Sequence, residues 1–303
     1  MLNIKPMPHS SFVPAAVNCA NHELDFSRPL VMGILNATPD SFSDGGSYYQ
    51  GASLDIALVL QRARQMLVEG ANIIDVGGES TRPGATPVTQ TEELDRVVPV
   101  IEAITKELGA LVSVDTSCPV VMREAESAGA GLINDVRALR RDGALQAAAQ
   151  TGLPVCLMHM RGEPGTMTRQ QTYPDVLTEV HEFFAQRLQA CAEVGIAPGN
   201  IMLDPGFGFG KSLEQNLTLL RHLAEFQRYR LPLLVGLSRK SLLGKLLGRE
   251  VSERLPGSLA LAHESVLRGA NIVRVHDVAA TADMINVHLA LQSGRGEKET
   301  KQQ

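Results

Sequence analysis

The sequence predicts a (β/α)8 barrel, the TIM-barrel member of the α/β class, folded as a single domain. Three observations predict it. Eight short apolar runs recur along the chain, an amphipathic stretch of helical length separates each from the next, and most runs stop abruptly on a residue able to do chemistry. Strands of a parallel sheet are buried on both faces and therefore read as continuous apolar runs rather than alternations. In such barrels the carboxyl ends of the strands form the active-site face, so the residues that end the runs should converge on one mouth.

In order, residues 30–35 stop at Asn36 and 72–76 at the turn Gly77-Gly78-Glu79-Ser80-Thr81-Arg82. Residues 111–114 stop at Asp115, 131–133 at Asn134, 155–158 at His159 and 201–203 at Asp204. The last two runs, 233–235 and 272–273, stop at Gly236-Leu237-Ser238-Arg239-Lys240 and at Arg274-Val275-His276. Apolar residues spaced i, i+3, i+4 predict helices over 54–69, 92–108, 119–128, 143–149, 173–194, 213–224, 258–267 and 278–291. Gly70, Gly109, Gly129, Gly152, Gly195 and Gly269 stand where helix ends favour a left-handed residue. The segments 36–52 and 77–91 are long and rich in Gly, Ser, Thr, Pro and Asp, as active-site lids are. Residues 1–28 read as an irregular lead-in, 29–292 as the barrel and 293–303 (SGRGEKETKQQ) as a disordered tail.

The 303-residue chain is 44% hydrophobic with a formal net charge of -5. That balance offers no global attraction to nucleic acid or an anionic membrane, so an anionic ligand has to be held by local cations. The four cysteines show no CxxC spacing, which fits a reducing compartment. No apolar run approaches a membrane span and no signal-type segment opens the chain, making the cytoplasm the default.

Asp115, Asn134 and Asp204 would line the barrel floor. A buried carboxylate accepts two parallel donors, and an amide both donates and accepts, a pattern that suits an aminopyrimidinone edge. Two other readings stand beside it: three oxygen ligands for a hard cation, or helix N-caps. Arg274 and His276 alternate along one strand end and so share a face, where barrels often hold phosphate. Arg82, Arg239 and Lys240 add positive charge at the same mouth, although a salt bridge to Asp277 would equally occupy Arg274. His159 reads as a satisfied buried histidine. The segment 204–211 (DPGFGFGK) does not match a phosphate loop; its glycines allow a tight turn and Phe207 or Phe209 an aromatic wall. Lys240 could also be a Schiff-base lysine, against which stands its place after a turn.

Longer motifs connect these residues. Residues 32–46 (MGILNATPDSFSDGG) and 74–84 (IDVGGESTRPG) resemble the two signatures of the dihydropteroate synthase family. The resemblance continues at every later strand end and spans roughly residues 30–290. It implies condensation of 6-hydroxymethyl-7,8-dihydropterin diphosphate with 4-aminobenzoate to give 7,8-dihydropteroate and pyrophosphate, by an SN1-like path without a protein nucleophile. By motif match, Asp115, Asn134, Asp204 and Lys240 would hold the pterin, with Met158 and Gly236 in the same substrate-binding set. Arg274, His276, Asn36 and Thr81 would hold the diphosphate, with Mg²⁺ bound through Asn36. The aminobenzoate would lie among Thr81, Pro83, Phe209, Lys240 and Ser241, near Arg82. Lys240, Asp204, Arg274 and His276 form the implied catalytic set, while Asp40 and Asp44 would organise the first lid. The resemblance also implies a homodimer built on the last helices and sensitivity to sulfonamides. A methyltransferase acting on a folate would share the acidic floor but has no need for Arg274, His276 and the Asn36 loop; a non-enzymatic pterin binder would bind the pterin diphosphate without turnover, and the uninterrupted set of motifs stands against it.

Overall fold

The computed structural model describes residues 12–38, 49–50, 53–80, 88–163 and 173–292. Eight parallel strands form the barrel: β1 (Leu30–Asn36), β2 (Ile73–Gly77), β3 (Val112–Asp115), β4 (Leu132–Asp135), β5 (Val155–Met158), β6 (Ile201–Asp204), β7 (Leu234–Val235) and β8 (Ile272–Val275). Their hydrogen-bonded order is β6-β5-β4-β3-β2-β1-β8-β7. The ring closes through a parallel bridge between Leu203 and Leu233, just ahead of β7. The expected class is therefore the one observed.

Helices α1 (Ile56–Val68), α2 (Gln90–Leu108), α3 (Pro119–Ser127), α4 (Ala144–Thr151), α5 (Val176–Glu193) and α6 (Leu213–Arg221) follow the first six strands. Two helices follow β7, α7 (Ser241–Leu247) and α8 (Leu255–Leu267), and α9 (Val278–Gln292) follows β8. Local chemistry sets their ends. Thr89 and Glu92 form a capping box at the start of α2, Asp55 and Asp175 cap α1 and α5, and Ser212 with Gln215 repeats the box at α6. All six glycines expected at helix ends have positive φ, from 57° at Gly109 to 106° at Gly70.

The structure corrects the sequence reading in three places. Residues 12–28 are not wholly irregular: Val17–Cys19 pairs antiparallel with His22–Leu24 in a hairpin too short to show as an apolar run. No helix was expected over α7, which has only seven residues and contains Gly244. A Cβ at Gly244 would fall 2.4 Å from the end of the Arg254 side chain, which would have to swing aside. Helix α6 stops at Arg221, and a 3-10 turn, Leu223–Tyr229, carries the rest of the predicted stretch. The tail 293–303 lies outside the described residues.

Alternation along the strands builds two zones inside the barrel. Leu30, Met32, Ile73, Leu132, Cys156, Met202, Leu234 and Ile272 form one buried apolar cluster with Val17, Cys19, Leu24 and Phe26 of the N-terminal segment. The hairpin is thus a plug on the amino end of the barrel. Gly131 permits its approach, because a Cβ there would stand 2.9 Å from the Cys19 carbonyl oxygen. Two residues further along the same strands the inward positions become Asp75, Asn134, Met158, Asp204, Gly236 and Arg274.

Candidate active site

Sheet register brings the carboxyl-end residues level. Asn36 pairs with Gly77, Gly77 with Asp115, and Asp115 with Asn134, while Asp204 lies beside Met158 on β6 and β5. Arg274 crosses this floor: its Nε donates to Asp75 at 2.6 Å and one Nη to Asp115 at 2.7 Å. Asn134 donates to the two oxygens of Asp75 at 3.4 and 3.3 Å. Asp75 is fully buried, so its charge depends on these donors. It was missed in the sequence because it sits inside the apolar run 72–76. The available signal was its parity, two residues after inward-facing Ile73.

The expectation that Asp277 might occupy Arg274 is overturned. Asp277 instead accepts from Arg239, whose Nε lies 2.9 Å from it, so Arg239 is committed to the loop rather than offered to the mouth. The helix-cap reading also fails: none of Asp115, Asn134 and Asp204 caps a helix. Asp204 accepts the Gly206 amide at 2.7 Å and so shapes the turn that begins at the end of β6.

Lys240 precedes α7 in extended conformation, immediately after Arg239 at φ 55°. Its Nζ donates to the Phe207 carbonyl and lies 4.5 Å from the centre of the Phe209 ring. Phe207 is buried in the main core, and Phe209 supplies the aromatic wall, packed on Val136, Met158 and Met160. Gly236 stands beside both cations, since a Cβ there would meet Arg274 Cβ and Lys240 Nζ at 3.8 Å. His276 is half-buried with Nδ1 3.0 Å from Ser238 Oγ, a partner that sequence did not suggest. Ser241 begins α7 and is exposed. Asp40, Asp44, Thr81, Arg82 and Pro83 lie outside the described residues.

Electrostatics follow from burial. Desolvation pushes the Asp115 carboxyl up to about 7, opposed by Arg274 and reinforced by Asp75. Burial raises Asp204 as well, opposed chiefly by Lys240. The Lys240 ammonium is pushed down to about 8 by burial, with Asp204 holding it up. His159 falls to about 2 because it is desolvated among Lys211 and Arg140, so it is a neutral core histidine, stacked edge-on against Phe183. A second network lies behind the floor. Arg137 donates to Glu163 at 2.6 Å, to Glu79 at 3.2 Å and to Ser117 at 3.1 Å, and Ser117 donates to Asp135.

The carboxyl end of the barrel thus gathers carboxylate and amide groups, an aromatic ring and two cations, with Arg274 in the floor and Lys240 over the Phe209 ring. The family described as "Pterin binding enzyme" matches residues 32–276. Dihydropteroate synthase of Escherichia coli K12 is 53% identical over 275 residues, covering 91% of this chain and 96% of that one. The chain belongs to the dihydropteroate synthase family. Among other members of this transferase family, the Haemophilus influenzae synthase is 51% identical over 88% of this chain and 95% of its own. The Yersinia pestis dihydropteroate synthase solved with a sulfonamide drug complex superimposes with a TM-score of 0.88 at 50% identity, covering 92% of this chain and all of that one. Xanthomonas albilineans dihydropteroate synthase with 4-aminobenzoic acid gives 0.85 at 47% identity, over 92% and 98%. Among the described residues no helix is long and apolar enough to cross a membrane.

Proposed function

We propose that the chain condenses 6-hydroxymethyl-7,8-dihydropterin diphosphate with 4-aminobenzoate, releasing pyrophosphate. The observation that carries the reading is the floor itself: Asp115 paired with Asn134 across β3 and β4 and bonded to Arg274, with buried Asp204 at the end of β6 opposed by Lys240. Asp115 and Asp204 would accept the pterin amino and ring N–H groups, Asn134 would pair with its mixed edge, and Met158 with Gly236 would line its faces. A ligand donating to the carboxylates restores hydrogen bonds that water cannot reach, which makes the buried acids selective for donors.

The diphosphate would lie toward Arg274, His276 and Asn36, with Thr81 on the following loop. Nε and one Nη of Arg274 are spent on carboxylates, which orients the remaining Nη donors for an anion. Asn36 ends β1 half-buried beside Gly77. Among the described residues no three His, Cys, Asp or Glu side chains come together as a metal cage. A single hard amide oxygen near a phosphate fits Mg²⁺, which keeps water and substrate oxygens as most of its ligands. When bound, the ion supplies charge neutralisation to the departing pyrophosphate.

The chemistry asks the protein to stabilise the leaving anion and to seat the electron-rich pterin as the C–O bond breaks, in SN1-like fashion, before the amine attacks. Lys240 donates toward the pterin while Phe209, Pro83 and Ser241 shape the aminobenzoate site, with Arg82 at its rim. Asp40 and Asp44 are assigned to closing the first loop, which keeps water from competing with the amine. This arrangement also accounts for sulfonamide sensitivity as mimicry of aminobenzoate. Exposed Leu255 on α8 and Val287 and Leu291 on α9 support a homodimer built on the last helices.

The test is pyrophosphate release by purified protein supplied with the pterin diphosphate and Mg²⁺, with and without 4-aminobenzoate. Release that rises with aminobenzoate and yields dihydropteroate is expected. Tight pterin binding with no such release would leave a pterin-binding protein instead.

A further inference from the structure

Lys211 closes the glycine-rich segment 204–211, and its surroundings there give it a definite task. Its side chain is 3% exposed, and Nζ donates to the carbonyls of Gly206 at 2.8 Å, Phe209 at 3.1 Å and His159 at 3.2 Å. An ammonium has three protons, and all three have acceptors in the protein, leaving none for an anion. Two of the carbonyls belong to the loop after β6 and the third to the end of β5, so the lysine fastens loop to barrel. The fit is close. A Cβ on Gly206 would stand 1.8 Å from the His159 carbonyl oxygen and 3.2 Å from Lys211 Nζ. Asn216 holds the other side, accepting from the Gly208 amide at 2.7 Å and donating to the Lys211 carbonyl at 3.2 Å.

What this loop presents is Phe209, beneath Lys240 and against Met158. It also touches Lys240 directly, since a Cβ on Gly208 would meet Lys240 Cδ at 2.9 Å. By contrast, Asp115, Asn134 and Arg274 stand on β3, β4 and β8 and make no hydrogen bond to Lys211 among the described residues, while Asp204 meets the loop through the Gly206 amide. We propose that Lys211 is a positioning residue for the aromatic second substrate, holding Phe209 in place under Lys240, and not an anion ligand. Burial lowers its own proton affinity to about 7, with Asp204 opposing that shift.

The proposal rests on the synthase reading, and the experiment separates the two. Wild type, Lys211→Met, Phe209→Ala and the double variant are assayed for turnover, and the dissociation constant of the pterin diphosphate is measured for each. In Lys211→Met the KM for 4-aminobenzoate rises about tenfold, while pterin affinity stays within about twofold. The double variant is no worse than Phe209→Ala, because both changes remove one contact. Equal losses in pterin affinity and KM, or independent additive losses in the double variant, overturn the proposal. If Lys211→Met does not fold, Lys211→Gln, which keeps two N–H donors, passes through the same cycle under the same criteria. A wild-type protein that makes no dihydropteroate sinks the synthase reading, whereas an active wild type with an unchanged KM in the variant sinks this proposal alone.

Discussion

The two ends of the barrel are made from the same strands in the same inward register, yet one is dry and apolar and the other holds buried charge. At the amino end Ile73, Met202 and Ile272 meet the N-terminal hairpin in a closed cluster. Two residues further along those strands stand Asp75, Asp204 and Arg274. Apolar burial stabilises at roughly 25 cal/mol per Å², whereas each buried ion costs several kcal/mol before its partners offset it. The contrast teaches that stability is concentrated at one end and spent at the other, which a barrel permits because its strands hold both ends in one rigid frame.

The largest effect should come from breaking the ion network. Arg274→Met leaves Asp75 and Asp115 without their cation, and a stability loss of about 3–5 kcal/mol together with loss of turnover is expected. Urea unfolding monitored by circular dichroism measures the first; an unchanged midpoint would show that the carboxylates find other partners. Next comes Lys240→Met, which removes a buried cation of similar shape. Turnover should fall on the order of 100-fold, and stability should fall by less than for Arg274→Met, because Asp204 loses its chief cation but keeps the Gly206 amide. A stability loss equal to that of Arg274→Met would contradict this ranking.

At the opposite end, Met202→Ala should cost about 2–5 kcal/mol of stability yet leave the KM of both substrates unchanged. Kinetics at a temperature well below the unfolding midpoint would check it, and a shifted KM would mean that the ends are coupled. The smallest effect is on pH dependence. Asp115 is ionised above about 7, and ionisation is what lets it accept two donors, so pterin affinity should fall as pH drops through 7. Lys240 loses its proton as pH rises through about 8, so affinity should fall again above 8. Each limb should approach about 1.4 kcal/mol per pH unit, measurable by calorimetry, and Asp115→Asn should flatten the acid limb.

Much of this was legible beforehand because a parallel barrel repeats one rule eight times. Apolar runs located the strands, and their endings at Asp115, Asn134, Asp204 and Arg274 located the floor. Asp75 escaped because a single carboxylate inside an apolar run looks like an interruption rather than a site. Lys211 was given no role of its own because its carbonyl partners lie on loops whose folding the local pattern does not specify. Arg239 was counted at the mouth until Asp277, 38 positions away, was seen to hold it. The N-terminal hairpin was invisible for another reason: its strands are three residues long, and only the barrel gives them an apolar surface to cover.

By itself the sequence determined the order of the eight barrel strands and of eight helices, the glycine helix ends and most of the residues delivered to the carboxyl face, since periodicity, capping and alternation are local properties. Only the tertiary structure decided which charge pairs with which. Desolvation and donor geometry depend on neighbours from distant strands, and they are what divide Arg274 between two acids, assign Arg239 to Asp277 and hold Lys211 on three carbonyls.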